Sequence, residues 1–400
     1  MKGFGAIVLC GSLLLPAMAQ AEISDGKVRI GVLNDMSGPY AESTGKGSVE
    51  AVRIAIDEVG GRVAGKPIEL ISADHQNKPD IAASIANKWI DVEQVDVIVD
   101  VPNSAAALAV QDITRRKNRV LLVSGGGTAQ LTGTACSPTT AQWTYDTYAL
   151  SQVMGVSGVK RLGASWYFLT VDYAFGHALE ADLSAVLKAN GGKVAGAVRH
   201  PLNTPDFSSY LLQAQSSRAN VVALANAGAD TATAIKQAQE FGLPQSGQTM
   251  ASLLMFPTDI QALGLNAAQG LVYPDGWFAD RDAESQAFAK AYLARTGKMP
   301  SMIQVGAYSA VRHYLRAIET TGSDEAIGAI AAMRKEPVND AFAKGGQLRV
   351  DGRMVHDMYL MQVKSQAESK GPWDQSKVLA TIPAEQAFRP LDAGGCPLAK

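Results

Sequence analysis

Short β-branched runs alternate along this chain with stretches whose apolar residues recur every three or four positions. Val28-Arg29-Ile30-Gly31-Val32-Leu33 reads as a first strand and Ser37-Gly38-Pro39-Tyr40 as the turn behind it. Val49, Val52, Ile56 and Val59 then keep helical spacing up to Gly60-Gly61, which suits a helix stop. The pattern predicts strands at Ile68 to Ser72, Asp96 to Val99 and Arg119 to Val123, with helices over Pro79 to Val92 and Ser104 to Arg116. A second set begins near residue 160. Its strands are Leu162 to Leu169, Lys193 to Val198, Asn220 to Ala225 and Gly270 to Tyr273. Its helices are Ala174 to Ala189, Ser208 to Ser217 and Thr231 to Phe241, followed by Ser285 to Ala294 and Val305 to Thr320. Leu348 to Val350 and Met358 to Val363 read as a closing hairpin, with Asp351-Gly352 as its turn.

This alternation predicts an α/β fold, with parallel sheets covered by helices on both faces. Such sheets take ligands beyond the carboxyl ends of their strands, so the post-strand loops carry the candidate chemistry. A length of 400 residues suits two domains. No low-complexity linker separates the two sets, which implies a chain that crosses between lobes more than once.

Charge narrows the partners. With 36 basic and 38 acidic side chains, the net charge of −2 leaves no footprint for nucleic acid or an anionic membrane. The first residues read as a secretory signal over 1–21: Lys2, an apolar Phe4 to Leu15, then small residues with cleavage favoured after Ala21. Cys10 would leave with it, and Leu9 is too large for a lipoprotein site. Cys136 and Cys396 remain, and export favours a disulfide between them that closes a loop of about 260 residues. The alternative is two inert buried thiols. No CxxC occurs, and the five histidines lack paired ligand spacing, so no metal is expected.

Several catalytic patterns are absent or broken. Gly60 to Lys66 has phosphate-loop spacing, but Pro67 follows where Ser or Thr would hold magnesium, and the loop runs from a helix into a strand. No GxGxxG follows the first strand, and no GxSxG or HExxH occurs. Asp172, His177 and Ser184 lack a strained nucleophile turn. Neither catalysis nor a cofactor is expected.

Three loops of the first set do carry binding chemistry. One runs from Asn34 to Ala41, with Ser37 and Tyr40. The second is Pro102-Asn103-Ser104 at a helix start, and the third is Ser124-Gly125-Gly126-Gly127-Thr128. Glycines allow close approach to the backbone, and free N–H groups with Asn103, Ser104 and Thr128 would cradle a carboxylate.

The opening strand with Ser37-Gly38-Pro39-Tyr40 resembles the type I periplasmic binding proteins, and more closely the leucine/isoleucine/valine-binding group that serves ABC importers. Val123 to Thr128, Asp172-Tyr173-Ala174-Phe175-Gly176, Asp206-Phe207-Ser208 and Tyr308 to Val311 follow in matching order. The resemblance implies two Rossmann-like lobes joined by three crossovers. They would comprise 26–146 plus 275–348 and 147–274 plus 349–390, with a tail at 391–400 tied by the disulfide. It also implies a monomer that closes on a ligand and delivers it to a permease. Asn103-Ser104 and Gly126 to Thr128 would hold the ligand carboxylate.

The second lobe departs from the family. A tyrosine is usual near Asn226 to Gly228 and an acid near Leu253 to Met255, yet the chain reads Ala225-Asn226-Ala227-Gly228 and Ser252-Leu253-Leu254-Met255-Phe256. An unpaired ammonium in a closed cleft costs at least a few kcal/mol (~2–7). The expected ligand is therefore a carboxylate with an apolar or aromatic body, of the kind represented in this group by benzoate or cinnamate derivatives. Asn226, Ala227, Tyr173, Phe256 and Trp277 are expected beside it, with Tyr145, Tyr167, Phe168 and Tyr273 as further aromatic candidates. Two alternatives stand: an amino-acid binder in which Asp172, Asp230 or Asp275 supplies the missing charge, and a ligand sensor with the same fold.

Overall fold

The computed structural model describes residues 22–400. The expected signal segment lies outside the described residues. The first sheet has the order β2-β3-β1-β4-β5-β6. It is built from β1 (Val28–Asn34), β2 (Arg62–Val63), β3 (Lys66–Asp74), β4 (Val97–Asp100), β5 (Val120–Val123) and β6 (Thr140–Gln142). All of its pairings are parallel except the short β2–β3 hairpin. Between these strands lie α1 (Gly45–Glu58), α2 (Pro79–Asp91) and α3 (Ser104–Arg116). Strands β4 and β5 are wholly buried, which is why they read as continuous apolar runs.

The second lobe begins with α4 (Thr147–Leu162), which packs on α5 (Ala174–Ala189). Its sheet has the order β15-β14-β11-β10-β9-β7-β8. The parallel part is β7 (Ser165–Val171), β8 (Lys193–His200), β9 (Val221–Ala225), β10 (Thr249–Ser252) and β11 (Val272–Asp275). Helices α6 (Ser208–Ser216), α7 (Ala229–Glu240), α8 (Pro257–Leu263) and α9 (Leu265–Ala268) connect them. After β11 the chain returns to the first lobe as α10 (Ala283–Thr296), α11 (Met302–Thr321) and α12 (Ala326–Met333), and α10 and α11 pack on α1.

The third passage corrects one expectation. Leu348 to Val350 does not pair with Met358 to Val363. The hairpin is instead β12 (Gln347–Leu348) with β13 (Met354–Val355), and β14 (Met358–Val363) lies between β11 and β15 (Ser376–Ile382), antiparallel to both. The physical reason is burial on both faces: five of the six β14 residues are buried, so it needs a neighbour on each side. The predicted strand at 162–169 also starts later, because Leu162 still belongs to α4.

The chain ends with α13 (Ala384–Ala387), which packs on α4 of the second lobe. Cys396 then reaches back to Cys136 of the first lobe, where the two form a disulfide with their Cα atoms 5.6 Å apart. Among the described residues no helix is long and apolar enough to cross a membrane.

Candidate ligand cavity between the lobes

The carboxyl ends of both sheets face one another, and the loops there line a narrow cavity. The first lobe contributes Tyr40, Ser43, Thr44, Pro102, Gly125, Tyr145 and Ile303. The second contributes Tyr173, Phe175, Ala227, Leu254 and Phe256.

Each first-lobe loop is shaped by a buried acid. Asp35 accepts the N–H groups of Gly38 (2.7 Å) and Tyr40 (2.9 Å), which folds the Ser37 to Tyr40 turn and aims the Tyr40 ring inward. Asp100 ends β4. Its carboxylate accepts the Ser124 hydroxyl at 2.9 Å and the Asn34 amide at 3.0 Å, so one side chain ties together the ends of β1, β4 and β5. Burial pushes its pKa up to about 6. Asp100 and Val101 hold φ values of 86° and 48°. A β-branched residue in that region is strained, and such strain gathers at ligand-binding edges. Gly125 explains the adjoining glycine run: a Cβ there would stand 2.7 Å from Pro102 Cα and 2.8 Å from the Asp100 carboxylate. At Gly127 a Cβ would meet the Tyr145 and Phe175 rings at 2.8 and 2.9 Å, two rings that wall the cavity.

The expected polar residues of this edge are committed to the protein. Asn103 caps α3 by accepting the N–H groups of Ala105 and Ala106, both at 3.0 Å. Ser104 Oγ accepts the Thr128 N–H at 3.1 Å, and Thr128 Oγ1 accepts that of Gln130. Ser37 donates its hydroxyl to Asp74 at 2.6 Å. The amides of Gly126 and Gly127 donate to no described partner. Asn226 lies behind the opposite wall, within 3.0 Å of His200 and 2.7 Å of Thr231, and positions Ala227. Trp277 lies elsewhere, in a second cavity, with its indole N–H on the Ala341 carbonyl. Of the expected set, the structure brings Tyr40, Tyr173, Ala227 and Phe256 together around the cavity.

Sequence reasoning passed over Ser43, Thr44, Pro102, Gly125, Phe175, Leu254 and Ile303 as wall residues. Gly125, Pro102 and Leu254 stood inside segments already singled out. Ile303 gave no signal, because it comes from the start of α11, far along the chain.

Closure is visible in the contacts. The Tyr40 and Tyr173 hydroxyls meet at 2.8 Å across the lobes, and Ala229 N–H donates to the Pro39 carbonyl at 3.1 Å. Burial raises the pKa of both tyrosines, so both remain neutral. One hydroxyl donates to the other, which leaves one proton of the pair for another acceptor. No charged side chain lines this cavity. The three candidate acids sit apart from it. Asp172 is exposed beside His177, Asp230 accepts the N–H groups of Asn203 and Thr204, and Asp275 lines the second cavity. No cluster among the described residues could hold a metal ion.

Two lobes with parallel sheets, passed between three times and closed on a cavity at the carboxyl ends of their strands, define a periplasmic binding protein of type I. The family model for periplasmic binding proteins matches residues 27–371, and the chain belongs to that family, in its Leu/Ile/Val-binding branch. A periplasmic binding protein from Burkholderia mallei is 49% identical, with a TM-score of 0.91, over 94% of this chain and 100% of its own. A branched-chain amino acid ABC transporter periplasmic ligand-binding protein from Burkholderia xenovorans is 39% identical, with a TM-score of 0.84, over 93% and 100%. "Leu/Ile/Val-binding protein homolog 6" of Brucella melitensis is 26% identical over 84% of this chain and 86% of its own. The family serves ABC transporters, binding small molecules for their permeases.

Proposed function

We propose that this protein, after loss of residues 1–21, works as a periplasmic monomer that captures a small carboxylate with an apolar or aromatic body and hands it to an ABC permease. Residues 26–146 with 275–348, and 147–274 with 349–390, would act as the two bodies that close. The observation that carries the reading is a closed cavity with no charged side chain on its wall. The ammonium of an amino acid would be left there without a counter-charge, whereas a carboxylate can be met by the free proton of the Tyr40–Tyr173 pair.

The test is a thermal melt of the mature protein with benzoate, 4-hydroxybenzoate and leucine. A ligand at a hundred times its dissociation constant stabilises by about 2.7 kcal/mol. An aromatic acid should raise the melt while leucine leaves it unmoved, and the reverse result would overturn the reading. Turnover of a bound acid would argue for an enzyme instead.

A further inference from the structure

A second cavity, of about 250 Å³, opens beside the first on the far side of Phe256 and Ile303. Its floor is one face of the second sheet. Tyr273 and Asp275 point to that face from β11, two residues apart, and Met361 of β14 stands opposite Tyr273 in the pairing. Trp277, Phe278 and Trp373 add aromatic surface, and Met299 and Met302 reach in from the start of α11. The cavity thus has walls from both lobes, and the Gly276 N–H, just past the end of β11, packs against Met302 Sδ at 3.1 Å.

Its chemistry differs from that of the first cavity. Asp275 is 4% exposed and forms no salt bridge with any described residue. Its carboxyl is met by backbone N–H groups, those of Trp277 at 3.1 Å and of the adjoining Gly276, and by no charged side chain. The two lysines of the cavity are already neutralised, Lys364 by Asp374 and Lys377 by Glu368. Gln375 is also 4% exposed, and its Oε1 has no partner while its Nε2 donates to Gln261 and Pro372. A carboxylate and an amide oxygen, both acceptors and both buried, therefore face a space walled by aromatic rings and thioethers, surfaces that attract cations.

We propose that this cavity is a second ligand site, for an organic ammonium ion with an apolar or aromatic body. The cation would sit against Asp275 and the Gln375 oxygen, with its apolar part among Trp277, Trp373 and the methionines. The site is independent of what the first cavity binds. Burial holds the empty Asp275 carboxyl protonated up to about pH 8, so a bound cation would displace its proton. The other titratable groups facing the cavity are Tyr273, Asp280, Lys364, Lys377 and Asp374, and Asp259 lies behind it on α8. Only Asp275 combines deep burial on the cavity floor with the lack of a charged partner.

Benzyltrimethylammonium is the probe, since its charge does not titrate. Calorimetry and tryptophan fluorescence of the mature protein should give saturable binding that strengthens by about tenfold per pH unit from pH 6 toward 8. Benzyl alcohol, which keeps the ring and lacks the charge, should bind at least tenfold more weakly. Asp275→Asn should weaken the probe by tenfold or more and abolish the pH dependence. Trp373→Ala, at the half-buried rim, should weaken it several-fold without disturbing the fold, which keeps the test decisive if Asp275→Asn misfolds. The benzoate response should be unchanged in both variants, so loss of either site registers separately. No saturable binding of the probe, or equal binding by benzyl alcohol or by folded Asp275→Asn, would overturn the proposal.

Discussion

The two lobes meet the same cavity with opposite materials. The first-lobe wall carries Tyr40, Ser43, Thr44 and Tyr145 on loops tied from behind by Asp35 and Asp100, with strain at Asp100-Val101. The second-lobe wall is side-chain surface, with Ala227, Leu254 and Phe256 each at most 3% exposed. The first wall is polar, with its hydroxyls mostly committed to the backbone behind it, and the second is apolar. Such a division lets one scaffold keep a common anchor in the first lobe while ligand identity changes through a few second-lobe side chains.

The largest effect should come from cutting the scaffold of the first lobe. Asp100→Ala leaves one N–H of the Asn34 amide and the Ser124 hydroxyl without an acceptor in the interior, the other Asn34 N–H staying on the Gly45 carbonyl, and should cost about 3 kcal/mol by chemical denaturation. It should also abolish ligand response. A variant that kept both stability and response would show that the acid behind the loops is dispensable. Next comes conversion of the other wall. Leu254→Glu places an acid on the cavity in the region where the family usually carries one, and should shift the ratio of benzoate to leucine affinity by about a hundredfold toward leucine, about 2.8 kcal/mol. An unchanged ratio would mean that the second lobe does not set ligand class.

The same contrast explains what could be read from the chain. First-lobe strands such as β4 and β5 are apolar runs, broken only by Asp100 at the end of β4, and their loops follow at once, so both strands and binding edge were legible. Five strands escaped, two of them, β2 and β13, only two residues long. β6 (Thr140–Gln142) and β10 (Thr249–Ser252) are short and rich in Thr, Ser and Gln, and carry no periodic signal although they are largely buried. β15 is a half-exposed edge whose place follows only from β14. The closing hairpin was misread for a related reason: a turn sequence fixes local reversal, whereas pairing of β14 depends on burial from residues a hundred positions away. The second-lobe wall was legible as a deviation from a family pattern. Trp277 stood out as an aromatic candidate, but only geometry places its ring in a different cavity.

A smaller, graded effect should separate the buried acids of the lobes. Burial raises Asp96 and Asp259 to about 7 and Asp275 to about 8. Each stays protonated in the folded chain at a pH where the unfolded chain has released its proton, so stability falls as pH rises through 6.5 to 8.5. His75 and His356 are held down to about 4 and act in the opposite sense, but below about pH 6.5, where the unfolded chain takes up protons that the folded chain refuses. Urea midpoints should therefore decline from pH 6.5 to 8.5. Asp275→Asn and Asp96→Asn should each flatten that decline, which assigns the alkaline loss between second and first lobe. A midpoint that rose over this range would contradict the assignment.

The finest test lies where the two walls touch. Tyr40 and Tyr173 line the cavity from opposite lobes and join their hydroxyls at 2.8 Å, so the pair belongs to neither wall alone. In the closed state one hydroxyl serves as the acceptor of the other, and removing either leaves its partner buried and half-satisfied. Tyr40→Phe and Tyr173→Phe should each weaken benzoate binding by about 1 kcal/mol, and the double variant by little more than either single. That shortfall from additivity measures the contact itself, because loss of two independent packing contributions would simply sum. Full additivity would mean that the hydroxyls do not meet in the bound state, and that the lobes close on the ligand without touching each other at this point.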